Sequence, residues 1–140
     1  MPNLSKKTKF VRASNAVAAG ATDSASSVID TAGFENVTFI TAFGAITAGA
    51  VTGVKAQQGD AADGSDMADI PEAAASVADD DDNKLVVLEV IRPPKRYVRH
   101  VVTRKTQNAV IDDVVAVLSG PRKLPPPVDS TVASVTTVGA

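Results

Sequence analysis

The sequence of 140 residues contains no cysteine and no tryptophan, and aromatic residues make up only 4% of it. Without cysteine there can be no disulfide framework, thiolate catalysis or thiolate metal site. With so few aromatic rings, the core must consist mainly of alanine and β-branched side chains, so burial per residue is modest. We therefore expect stability to depend partly on a second copy or a larger partner.

The sequence also lacks a long apolar run. None approaches the roughly 20 residues that cross a bilayer, and the apolar stretch after the first lysines is interrupted by Ser14, Asn15 and Gly20. We expect neither a signal peptide nor a membrane span, and no membrane among the partners. The length is that of one domain.

Charge is segregated along the chain although the net charge is only −2. Lysine and arginine are absent between residues 56 and 83, where aspartates accumulate. The next segment reverses this balance, with cations opposed by Glu89 alone: Lys84, Arg92, Lys95, Arg96, Arg99, Arg104 and Lys105. Such segregation indicates charged surfaces that meet a partner.

Short β-branched runs separated by glycine and proline predict an all-β fold, an antiparallel jelly roll or β-sandwich with extended N- and C-terminal arms. We divide the chain into an N-terminal arm (1–27), a jelly-roll domain (28–120) with a long acidic loop (59–83), and a Pro-rich C-terminal tail (121–140). The apolar runs 37–46 and 85–91 are predicted to form the core. Pro71 could open a short helical turn over 72–77.

Two features could indicate a metal site or a catalytic site, but neither has the residue pattern that such a site requires. Aspartates recur at every third position from Asp60 to Asp69, but an EF-hand requires different spacing, a central glycine and a final glutamate, so we expect a solvated loop and no metal. His100 is the single histidine. We expect it at the surface beside Asp112 or Asp113, without the nucleophile that catalysis requires. The sequence predicts no enzyme activity, no catalytic residue and no cofactor.

The basic segment from Arg92 to Lys105 could bind phosphates or an acidic protein surface. Tyr97 is its one stacking ring, and the neighbouring acidic loop would repel a phosphate backbone. We therefore favour protein docking over nucleic acid. A carbohydrate-binding module would need aromatic platforms that this sequence lacks.

Three stretches carry a family resemblance: "MPNLSKKTKFVRASNAVAAG", "GFENVTFITAFGAITAGAVTGVKAQQGD" and "DDDDNKLVVLEVIRPPKRYVRHVVTRKTQNAVIDDVVAVLSGPRKLPPP". Together they resemble the capsid cement, or decoration, proteins of tailed bacteriophages, those of a Bordetella podophage most closely. This resemblance implies a jelly-roll virion protein, made in the host cytoplasm. It would bind the outer surface of the major capsid protein lattice and stabilise the head against DNA pressure. The alternative is a head-fibre or tail adaptor at a capsid vertex.

Under this resemblance we expect a homo-oligomer, a dimer in preference to a trimer, that could associate through an unpaired strand at 110–118. The expected capsid-contact residues are Arg92, Lys95, Arg96, Arg99 and Arg104. Contacts from the N-terminal arm are expected from Lys6, Lys7, Lys9 and Arg12.

Overall fold

The computed structural model, which describes residues 3–139, is a sandwich of two antiparallel sheets. One short helix and ten strands follow in chain order: α1 (Leu4–Lys7), β1 (Thr8–Ser14), β2 (Val17–Gly20), β3 (Ser24–Ala25), β4 (Ile29–Asp30), β5 (Asn36–Ile46), β6 (Val51–Gly59), β7 (Ala68–Val77), β8 (Leu85–Ile91), β9 (Tyr97–Lys105) and β10 (Ala109–Ser119). In this described range no helix is long and apolar enough to cross a membrane.

Strand order identifies the sandwich as a jelly roll. The first sheet has the order β1–β10–β5–β8, with β2 continuing β1 along the same neighbour, and the second has β3–β9–β6–β7, with β4 continuing β3. Counting each broken pair as one strand gives eight strand positions in two sheets of four, the jelly-roll arrangement. The predicted all-β sandwich is confirmed.

The core lies between the two inward faces and follows the period-two alternation of the strands. On β5, Val37, Phe39 and Phe43 are almost completely buried. Their neighbours are mostly small: valines of β9 and β10, with Ile111 and Leu118 as the largest aliphatic side chains among the fully buried residues. The expectation of a core built mainly from β-branched residues and alanine therefore agrees with the burial pattern.

Residues 8–27 of the predicted N-terminal arm join the sandwich through β1, β2 and β3, which corrects the expectation of an extended arm for these residues. Strand β1 pairs with β10 over its length, and β3 pairs with β9. The alternation in "TKFVRAS" explains this, because Val11 and Ala13 point into the core while Arg12 stays exposed. Residues 1 and 2 of the arm lie outside the described residues.

The acidic loop predicted at 59–83 is interrupted by β7, which pairs with β6. The helical turn expected at 72–77 is therefore wrong. Strand β7 is irregular: it contains Pro71, Glu72 has a positive φ of 67°, and the register with β6 shifts. Proline and bulges are typical of edge strands, so the signals that suggested a helical turn belong to an edge.

Two assignments of strand position also change. The run 110–118 was expected to be an unpaired edge, but β10 is central, with β1 on one side and β5 on the other. The run 85–91 was expected in the core, but β8 is the edge. Only Val90 of β8 is fully buried, while Leu85, Val87 and Ile91 are each at least 60% exposed.

The C-terminal segment after Gly120 forms no strand within its described part, residues 121–139, and returns along β1. Thr131 accepts a hydrogen bond from the backbone N–H of Arg12 at 2.9 Å, and Lys9 lies 3.6 Å from Asp129. The tail thus covers part of the outer edge of β1. Residue 140 lies outside the described range.

Candidate interaction surfaces

Topology brings members of both predicted groups of contact residues to one end of the sandwich. Thr8, the first residue of β1, pairs with Ser119, which pairs with Asn36, which pairs with Ile91. Lys6 and Lys7 precede this row on one side of the sheet, and Arg92 follows it on the other. Three strand spacings separate the two sides, a distance of about 14 Å.

The start of the tail adds two further cations to the same end. The backbone N–H of Arg122 donates to the carbonyl of Gly33 at 2.9 Å, and that of Arg92 donates to the carbonyl of Glu35 at 2.8 Å. Both loops are therefore fixed on the turn before β5. We call this surface the basic end; it comprises Lys6, Lys7, Arg92, Lys95, Arg96, Arg122 and Lys123. Sequence reasoning missed Arg122 and Lys123, because only the fold shows that the start of the tail lies beside the turn before β5.

Part of this positive charge is neutralised within the chain. Arg96 makes two hydrogen bonds of 2.9 Å to the carboxylate of Asp30, and these bonds hold the pKa of Asp30 below its ordinary value. Lys95 lies 3.2 Å from Asp60. Among the described residues, no ion pair involves Lys6, Lys7 or Arg92. These three are also exposed, so they are the cations most available to a partner.

Arg99 and Arg104 lie on opposite faces of β9. Arg99 points outward and donates to the side-chain carbonyl of Gln57, with its Nε 3.1 Å away. Arg104 points inward and is only 4% exposed. Its expected role as a capsid contact is therefore wrong.

The buried guanidinium of Arg104 joins the two sheets. It donates to three backbone carbonyls, those of Ala18, Thr22 and Ala109, at 2.7–2.9 Å. Ala18 and Ala109 belong to the first sheet, whereas Arg104 belongs to the second. Hydrogen bonds to a charged group are stronger than neutral ones, so this side chain fixes the crossing between the sheets.

His100 also points inward, which corrects its expected surface position. Its ring is 1% exposed, lies 5.1 Å from the ring of Phe39, and has its Nε2 3.3 Å from the hydroxyl of Thr41. Asp112 and Asp113 are on β10 in the other sheet. Burial lowers the pKa of His100 to about 4, so the ring is neutral near pH 7. A buried, neutral histidine bonded to threonine is suited to packing.

The four consecutive aspartates lie at the opposite end from Arg92, where β8 begins. Three of them accept backbone hydrogen bonds: Asp79 from Gly49, Asp81 from Ala78 and Asp82 from Ile46. We call Asp79, Asp80, Asp81 and Asp82 the acidic end. The aspartates that were expected to be solvated thus also accept hydrogen bonds that stabilise two adjacent turns.

The outer face of the second sheet carries a shallow groove of about 330 Å³. Lys55 and Lys105 line it together with Val51, Ala74 and Thr103. Gly53 forms its floor, since a Cβ there would lie only 3.0 Å from the hydroxyl of Thr103. Across residues 3–139, no group of three or more His, Cys, Asp or Glu side chains is placed to hold a metal.

Comparison with known proteins identifies the fold. No family model and no curated protein matches the sequence. Among solved structures, the chain is similar to the exported protein XepA of phage PBSX, with a TM-score of 0.55 and 15% identity. The match covers 99% of this chain and 46% of that one, so this chain spans about half the length of its structural neighbour.

Proposed function

We propose that this protein is a structural virion protein of a tailed bacteriophage, a capsid cement or decoration protein without enzymatic activity. In this role it binds the outer surface of the major capsid protein lattice and stabilises the head against DNA pressure. The basic end carries the proposal, because a jelly roll here gathers cations from three distant parts of the chain onto one surface. The structural likeness to a phage protein supports the same class.

The basic end suits an acidic protein surface. Lys6 and Lys7 are exposed and precede a strand that is anchored in the sheet, so their backbone is held while their side chains remain available. Clustered charge of one sign accelerates encounter and sets orientation more than it adds affinity. Tyr97, the single tyrosine, lies under the guanidinium of Arg96 at 5.1 Å, so one face of its ring is already covered.

Stabilisation under this proposal is mechanical. Packed DNA pushes capsid subunits apart, and a protein attached to two of them adds contacts that must break before they separate. Many copies share this load, and attachment at two points raises the effective affinity without new contacts. Moderate affinity at each site is therefore sufficient.

The test is to mix the purified protein with DNA-free expanded heads of the encoding phage and to measure bound copies per particle by gel densitometry. Occupancy of every repeated lattice site is the expected result. Occupancy restricted to vertices would instead favour a head-fibre or tail adaptor. Absence of binding would refute both assignments.

A matched pair of variants locates the contact. Lys6→Glu combined with Lys7→Glu should abolish binding to heads, because it reverses two exposed charges of the basic end that make no ion pair within the described chain. Lys105→Glu, at the end of β9 away from the basic end, should bind normally. If the double variant binds heads as well as Lys105→Glu does, the basic end is not part of the interface.

A further inference from the structure

Strand β8 is the one long sheet edge in residues 3–139 that nothing blunts. The edge at β1 is partly covered by Thr131, and the edge formed by β3 and β4 consists of two-residue strands. Strand β7 has its proline and bulge. Strand β8 pairs with β5 through seven consecutive residues without a register shift, and its sequence, LVVLEVI, has one charge and no proline. Such an edge is a template for another strand.

The hydrogen bonds between β8 and β5 show which residues of β8 turn their backbone N–H and C=O groups away from β5. The N–H of Arg92 donates to Glu35, and the carbonyl of Lys84 accepts from Phe43, so the even-numbered residues bond to β5. In a regular antiparallel ladder the N–H and C=O groups of the alternate residues point away from that neighbouring strand. The free N–H and C=O groups of β8 therefore belong to its odd-numbered residues: Leu85, Val87, Glu89 and Ile91.

We propose that β8 pairs antiparallel with β8 of a second copy, about a two-fold axis at Leu88, to form a homodimer with a continuous eight-stranded sheet. In this register Leu85 lies opposite Ile91 of the second copy, and Val87 lies opposite Glu89. All four outward-facing residues are paired, which gives about eight hydrogen bonds. A shift of the axis to Glu89 would place two glutamates opposite each other, and a shift to Val87 would leave Ile91 unpaired.

Charge complementarity identifies the partner as a second copy of this chain. Strand β8 runs from the acidic end, Asp79 to Asp82, to Arg92 and Lys95 at the basic end. Antiparallel pairing places the acidic end of each copy beside the basic end of the other. Opposite charges at both ends of an apolar strand thus make it complementary to itself.

The proposal does not depend on capsid binding, so its test uses the purified protein alone. Sedimentation velocity at low salt should give twice the monomer mass of 14.3 kDa, and the dimer should weaken as salt is added. A monomer at every concentration and salt would overturn the proposal.

Val87→Pro tests the edge itself. The N–H of Val87 is not used within its own sheet, so the variant should keep its far-UV circular dichroism spectrum. Two hydrogen bonds of the dimer are lost, one from each copy, and the dissociation constant should rise about 30-fold. A folded variant that dimerises as well as the natural protein would place the interface elsewhere.

The register is tested by single cysteines, for which the cysteine-free chain is well suited. With the axis at Leu88, the two Cα atoms of Leu88→Cys lie about 4.5 Å apart, so mild oxidation should give a covalent dimer. The control Val86→Cys places its two Cα atoms about 14 Å apart, beyond disulfide reach. Cross-linking of the control, or of neither variant, contradicts the register.

Discussion

Acidification from pH 7 to pH 5 should destabilise this protein through one group, His100. Its ring is 1% exposed, Nδ1 has no hydrogen-bond partner, and burial lowers its pKa from 6.5 to about 4. The folded protein therefore excludes a proton that the unfolded chain binds below pH 6.5. The contribution of His100 to the free energy of unfolding is fully present above pH 6.5 and is lost as the pH falls toward 4.

The size of the effect follows from the two pKa values. Their difference of about 2.5 units corresponds to about 3 kcal/mol for the complete titration. At pH 5 the unfolded histidine is almost fully protonated and the folded one is still neutral, so we expect a loss of about 2 kcal/mol. The carboxyl groups of Asp30, Asp66 and Asp81 contribute little in this window, because hydrogen bonds hold their pKa values below 3.8.

Urea unfolding followed by far-UV circular dichroism at pH 7, 6 and 5 measures this loss directly. The control is His100→Gln, which keeps a polar side chain near Thr41 but cannot titrate. It should be less stable at pH 7 and show almost no further loss at pH 5. If that variant does not fold, NMR titration of the single histidine gives the pKa in the natural protein. An equal loss in the variant, or a histidine that titrates near 6.5, would refute the reasoning.

Three further changes test the interior and one loop, each by urea unfolding. Arg104→Met should lower the free energy of unfolding by about 3 kcal/mol, because three buried carbonyls lose a charged donor. A loss below about 1 kcal/mol would contradict the role of Arg104 in joining the two sheets. Phe39→Ala should cost about 3–5 kcal/mol, as expected for a fully buried ring, and an exposed Leu124→Ala serves as its neutral control. Asp82→Ala should cost about 1 kcal/mol through the lost bond to the N–H of Ile46, whereas Asp80→Ala should be neutral.

The sequence was sufficient to predict strands but not their neighbours. Runs of β-branched residues and the stops at Pro93 and Gly120 predicted β5, β8 and β10. Which of these lies at an edge depends on strand order, and strand order is set by contacts between residues far apart in sequence. The basic end could not be predicted for the same reason, because it joins Lys6 and Arg122 through pairings that no local pattern encodes.

The burial of His100 and of Arg104 could have been predicted from the sequence. Val98, His100, Val102 and Arg104 share one parity on β9, and the valines identify that face as buried. The same alternation in β1 was masked by the alanine, serine and asparagine that follow it. Composition favoured an arm, while the alternation correctly indicated a strand.

The proposed dimer uses Arg92 and Lys95 on one side of the basic end, which leaves Lys6 and Lys7 on the other side for the capsid contact. Strand β8 and the lysines before β1 lie on opposite sides of the first sheet. Antiparallel pairing turns the second copy by half a turn, so the two basic ends point in opposite directions, separated by at least the length of β8, about 24 Å. Such a dimer can attach to two capsid subunits at once, whereas a monomer has one basic end. Val87→Pro should therefore bind heads more weakly than the natural protein although its lysines are intact, because it loses two-point attachment. The Leu88→Cys covalent dimer should bind as well as the natural protein or better.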